Sequence, residues 1–105
     1  MAEIDEILDE CRRRLRDHYG EELADIVLYG SIARGDEDAE SDIDLLVLLK
    51  SDFNRWEQIK VIVRLLYPVQ MKCDRYISAK PVREVDYREG KHAFLRRAKS
   101  EGVLL

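Results

Sequence analysis

The chain has 105 residues, about one domain's worth, and 46% of them are hydrophobic, enough to build a single core and too many for a disordered chain. Charged residues make up 38%, and 22 Asp and Glu against 18 Lys and Arg leave a net charge of −4, which argues against a general coat for DNA or RNA. The apolar runs are too short to span a bilayer, and the start, MAEIDEILDE, is too acidic for a secretory signal or transit peptide.

Two cysteines, Cys11 and Cys73, stand at no metal-like spacing. They point to a reducing, cytoplasmic compartment with neither a zinc site nor a disulfide framework. No repeat, low-complexity tract or Pro/Gly-rich linker interrupts the sequence, so residues 1–105 are read as one domain.

Residues 3–18 read as a helix, with Ile4, Ile7, Leu8, Cys11 and Leu15 on one face. Its acids come first and its arginines last, in keeping with the helix dipole, and Asp9–Arg13 and Glu10–Arg14 are spaced as i,i+4 pairs. The arginine cluster reads as a solvated helix end, and Gly20 is a natural stop. Residues 24–29 (ADIVLY) and 43–49 (IDLLVLL) are short apolar runs that read as buried strands.

Residues 53–67 return to helical spacing through Phe53, Trp56, Ile59, Val63 and Leu66, with Ser51 or Asp52 as cap and Pro68 as the end. Phe53 and Trp56 are read as core residues. Residues 69–77 (VQMKCDRYI) alternate like a strand with one open face that carries Gln70, Lys72, Asp74 and Tyr76. From Pro81 to Glu101 the reading is helical, broken near Gly90 and capped by Gly102. The element order describes an α/β fold: a small mixed sheet with helices mainly on one face.

The chemistry concentrates in Gly30-Ser31, ten intervening residues, then Asp42-Ile43-Asp44. Gly30 follows a buried strand, where a chain must turn sharply and where a ligand can approach the backbone. Ser31 stands where a helix begins, with free N–H groups that suit a phosphate, and Arg34 one turn on can add charge-assisted hydrogen bonds to it. Alternatively, Arg34 pairs with the acidic loop that follows.

Asp42 and Asp44 share one face at the mouth of a strand, with Cα atoms roughly 6.7 Å apart. Two carboxylates so placed repel by about 2 kcal/mol at an effective dielectric near 20. A cation between them removes that cost, and a partly open oxygen site suits Mg²⁺ or Mn²⁺. Phosphate at Gly30-Ser31 beside metal at Asp42 and Asp44 outlines a phosphoryl- or nucleotidyl-transfer site. A two-metal site wants a third carboxylate, for which Asp74 is the candidate.

The segment GSIARGDEDAESDIDLLVLL resembles the nucleotidyltransferases of the DNA polymerase beta superfamily, specifically the minimal nucleotidyltransferase (MNT) proteins. It keeps the family's Gly-Ser, ten residues, Asp-x-Asp spacing. The resemblance is sharp over Leu28 to Leu49 and rests elsewhere on element order and the terminal EGVLL.

It implies that Asp42 and Asp44 hold the catalytic metals, that Gly30 and Ser31 grip a nucleoside triphosphate, and that a third acid lies on a later strand. It further implies transfer of AMP from ATP, with two Mg²⁺ ions, to a hydroxyl acceptor. In MNT-type antitoxins that acceptor would be a tyrosine of a helical HEPN ribonuclease partner. The family's small-molecule transferases generally carry an added helical domain, and 105 residues leave no room for template-tracking domains.

Several residues take plainer readings. Asp36, Glu37, Asp38 and Glu40 are a solvated loop, His18 and His92 are isolated, Cys11 is core, and Lys72 and Arg75 flank the third acid within reach of phosphate. Asp86 follows Pro81 in a helical segment and is a poor third acid. A rival of another class stays open: a non-catalytic module of the same fold that blocks its partner sterically.

Overall fold

The structure, a computed structural model, describes residues 4–35 and 41–105. Helix α1 spans Ile4–Tyr19 and turns its Ile7, Cys11 and Leu15 inward. Glu10 pairs with Arg14 at 3.1 Å as the spacing predicts, whereas Asp9 pairs with Arg12 at 3.7 Å. A single 3-10 turn leads into strand β1 (Leu23–Tyr29), followed by a one-turn helix α2 (Ser31–Arg34) and strand β2 (Ile43–Leu49). The acidic residues Asp36, Glu37, Asp38 and Glu40 lie outside the described residues.

Helix α3 covers Arg55–Gln70, and its boundaries depart from expectation at both ends. The cap is Asn54, whose side chain accepts from the Glu57 N–H at 3.0 Å. Ser51 instead gives its N–H to Glu22, and Asp52 pairs with Arg83 at 2.9 Å. Pro68 lies inside the last turn rather than ending the helix. The carbonyl that loses its partner there belongs to Arg64, an exposed residue, so water can replace the missing donor.

Because α3 runs on to Gln70, residues 69–77 are not a strand. Strand β3 is Ile77–Arg83, and residues 71–76 form the turn before it. The Gln70 side chain fixes that junction, donating to the Arg75 carbonyl and accepting from the Ile77 N–H, each at 2.8 Å. Pro81, read as the start of a helical stretch, is a buried residue within β3. The sheet order β3-β2-β1-β4 makes β3 an edge strand, where a proline costs no inward ladder bond.

Helices α4 (Glu84–Glu89) and α5 (Ala93–Glu101) follow, separated near Gly90 as expected. Gly90 takes the left-handed conformation, φ 62°, that closes α4. Strand β4 (Val103–Leu104), unanticipated in the sequence, returns to pair with β1. Within the sheet β1 is antiparallel to β2 and β4, and β2 is parallel to β3.

The sheet's side chains alternate between two cores. Ile26, Leu28, Ile43, Leu45 and Val47 pack against the long helices α1 and α3, while Val27, Leu46 and Leu48 meet the short helices α4 and α5 through Tyr87, Leu95 and Ala98. The result is a mixed α/β fold whose two long helices share one face. Cys11 lies in the first core, where burial pushes its thiol up to about 12, an inert structural role. No helix among the described residues is long and apolar enough to cross a membrane.

Candidate active site

Strand β2 delivers Asp42 and Asp44 at its N-terminal end, beside the point where β1 ends in Gly30. Asp44 lies opposite Tyr29 of β1 and beside Ser78 of β3. Alternation along β2 places Asp44 on the face of Leu46 and Leu48, at the end of the sheet beyond the core that α4 and α5 cover.

Gly30 adopts φ 80°, ψ −157°, a conformation open almost only to glycine. A Cβ built there would overlap the Asp44 carboxylate oxygen, so the backbone passes directly against the acid. The one-turn helix α2 begins immediately with Ser31 and is closed by the Arg34 N–H donating to the Gly30 carbonyl at 3.1 Å. The Gly-Ser pair and the Asp-x-Asp pair are thus brought together.

Electrostatics single out Asp44. Burial raises its pKa above the ordinary carboxylate value, and the neighbouring charge of Asp42 raises it further, against the pull of Lys80 and Arg34. The Tyr29 phenol is pushed up to about 12, first by burial and then by Asp44. A half-buried carboxylate strained by its neighbour's charge is what a bound cation would relieve. The donors are hard oxygens in an open position, so the pair fits Mg²⁺ or Mn²⁺.

Arg34 reaches Glu101 of α5, with Nη1 3.3 Å from Oε2, and its field also acts on Asp44. Asp74 falls in the turn before β3 and is exposed, not on the strand. Among the described residues no three His, Cys, Asp or Glu side chains gather closely enough to share a metal ion. Lys72 is drawn to Glu10 on α1, at 3.2 Å, rather than to the site. Arg75 donates to the Ser41 carbonyl at 3.1 Å and so holds the segment that leads into Asp42.

Four side chains at the site, Tyr29, Ser78, Lys80 and Phe94, are not singled out by the sequence. Ser78 and Lys80 come from β3, whose start was misplaced. Phe94 of α5 stacks edge-on against Tyr29 at 5.5 Å between centroids and lies 5.3 Å from the Lys80 ammonium. Tyr29 itself precedes Gly30 directly, and strand pairing across the turn was the signal available for it.

Comparison with known proteins gives the family. The family model for the nucleotidyltransferase domain matches residues 4–100. The chain belongs to that family and is a nucleotidyltransferase, a class that works with a nucleotide donor and a divalent metal. A relative from Methanocaldococcus jannaschii, named "Putative protein adenylyltransferase", is 37% identical over 76 residues, covering 72% of this chain and 76% of its own.

Two further proteins of that organism with the same description are 42% and 45% identical over 48 and 47 residues. Those matches cover 46% and 45% of this chain, and 33% and 45% of theirs. A crystal structure of a putative nucleotidyltransferase from Sulfolobus solfataricus superposes with a TM-score of 0.57. It covers 99% of this chain and 89% of the other at 18% identity, a likeness of fold.

Proposed function

We propose that this chain transfers AMP from ATP to a hydroxyl group of a protein. The observation that carries the reading is the contact of the Gly30 backbone with Asp44, which joins a turn suited to phosphate with a carboxylate pair suited to a divalent ion. In the reaction the acceptor oxygen attacks the α-phosphorus, and the bond to the bridging oxygen of the β-phosphate breaks. Pyrophosphate leaves with that electron pair, and the acceptor's proton passes to solvent.

Asp42 and Asp44 would hold Mg²⁺, which when bound supplies charge neutralisation for the triphosphate and lowers the pKa of the attacking hydroxyl. Gly30 and Ser31 would lie against the phosphates, and Arg34 would add positive charge from α2. Asp74 is not needed in this scheme.

The adenylyl acceptor is read from two sources. The relatives named as protein adenylyltransferases point to a protein, and the MNT resemblance narrows it to a tyrosine of a helical HEPN partner, with an antitoxin role in the cytoplasm. The gathering of only two acids among the described residues favours a second reading, a module that neutralises its partner sterically.

Calorimetric titration of ATP, with and without Mg²⁺, into wild type and the Asp42→Asn/Asp44→Asn double variant tests the site. Binding that needs Mg²⁺ and vanishes in the variant supports the transferase. If Asp44→Asn still silences the partner although AMP transfer is lost, the steric reading replaces it.

A further inference from the structure

Helix α3 has a second apolar face that the fold leaves uncovered. Its buried side is Ile62, Leu66 and Val69. Roughly a third of a turn away run Trp56, Val63 and Tyr67, which are 72%, 60% and 59% exposed. Trp56, expected in the core, is therefore a surface residue.

Hollows of about 310 and 450 Å³ flank this stripe, one towards β3 and one on its outer side. Arg55 and Lys80 line the first, Lys60 and Arg64 the second, and among the described residues no Asp or Glu lines either. Among the described residues these four cations outnumber Glu57, the one acid of α3, and Asp44, which Lys80 also attracts, so on a chain of net charge −4 this face carries the opposite sign to the whole.

We propose that the α3 stripe and the β3 edge dock an amphipathic helix of a partner protein whose apolar face is flanked by acidic residues. Strand addition is a poorer use of the surface. The Gln70 side chain already occupies the outward N–H of Ile77, and Pro81, which faces outward by the same alternation, has none to offer. A second copy in two-fold contact would set these cations against themselves.

The groove is continuous with the active site. Tyr76 and Ser78 line it, and Ser78 sits beside Asp44 in the sheet. The docked protein is the one that presents the acceptor hydroxyl, an identification that rests on the proposed protein adenylyl transfer.

Trp56 is the chain's single tryptophan, so its emission reports occupancy of the stripe. The probe is a synthetic helix about 18 residues long, five turns, with leucines on one face and glutamates flanking them. A lysine-for-glutamate counterpart is the control. The acidic peptide should bind saturably and shift Trp56 emission to the blue. Binding should weaken at least tenfold in Val63→Asp, in Lys60→Glu/Arg64→Glu, and in high salt.

Both variants change exposed positions, and circular dichroism checks their fold. Failure of the acidic peptide to bind overturns the proposal, as does equal binding of both peptides. Self-association that buries Trp56 without peptide overturns it in favour of a second copy. ATP titration with Mg²⁺ separates the two readings: Val63→Asp should keep nucleotide binding, and Asp42→Asn/Asp44→Asn should keep peptide binding. Loss of nucleotide binding in wild type with docking intact sinks the transferase alone, and the reverse result sinks the docking surface alone.

Discussion

The carboxylate of Asp44 lies so close to the Gly30 backbone that the first carbon of any side chain there would overlap it. Two residues fourteen positions apart are thereby locked together, the end of β1 against the start of β2. Gly30→Ala should suffer twice. Its backbone would be held in a region that costs a non-glycine residue about 1–3 kcal/mol, and the methyl group would displace Asp44. We expect a lower urea midpoint together with loss of Mg²⁺-dependent ATP binding. Retained ATP binding at wild-type affinity would show that the close approach does not matter to the site.

Asp44 also ties stability to pH. Its folded-state pKa lies above the ordinary carboxylate value of 3.8, because burial and Asp42 both oppose its charge. Between the two values the folded state holds more protons than the unfolded, so stability falls as pH rises through that window. Asp44→Asn removes the cost. Without metal it should melt above wild type at neutral pH and converge with it in acid. Added Mg²⁺ should raise the wild-type melting temperature and leave the variant unmoved. A variant less stable than wild type at neutral pH would contradict this account.

The meeting of Gly30-Ser31 with Asp42-x-Asp44, the heart of the candidate site, was legible in the sequence because its parts are local: each pair is fixed by the strand beside it, and those strands are plainly apolar. Residues 69–77 were misread because they alternate as a strand does, and because Pro68 looked like a helix end. Neither local signal outweighs a Gln70 amide that holds the turn from within α3. Trp56 was misplaced for a related reason. Helix α3 is apolar on two sides, so its periodicity permits two buried faces, and only the position of the sheet selects Ile62, Leu66 and Val69. Ser78 and Lys80 reach Asp44 through the β2–β3 register, a long-range fact that spacing within one segment does not carry.

Gln70 holds the start of β3 through two hydrogen bonds. Gln70→Ala leaves the Ile77 N–H without its partner, which costs about 1–3 kcal/mol where water cannot replace it. The loosened strand end carries Ser78 and Lys80, so Mg²⁺-dependent ATP binding should weaken along with stability. Gln70→Glu keeps the acceptor for Ile77 and loses only the donor to Arg75, so it should fall between the two in a thermal melt. Faster amide exchange at Ile77 in the alanine variant would locate the damage.

The strand residue beside Asp44 is Ser78, not an acid. Ser78→Asp would place a third carboxylate next to the first two, at a Cα separation of about 4.8 Å from Asp44. One more negative charge at that range is worth several kcal/mol to a cation even at an effective dielectric near 20, before screening by solvent. The variant should therefore bind Mg²⁺ at least tenfold more tightly and, without metal, melt below wild type at neutral pH. Asp74→Asn, altered in the exposed turn before β3, should leave Mg²⁺ affinity within about twofold and change stability by no more than about 0.5 kcal/mol, the range usual for surface substitutions. Isothermal titration of Mg²⁺ into the three proteins decides between the positions. If Asp74→Asn abolishes binding and Ser78→Asp does nothing, the third acid belongs to the turn and the register argument fails.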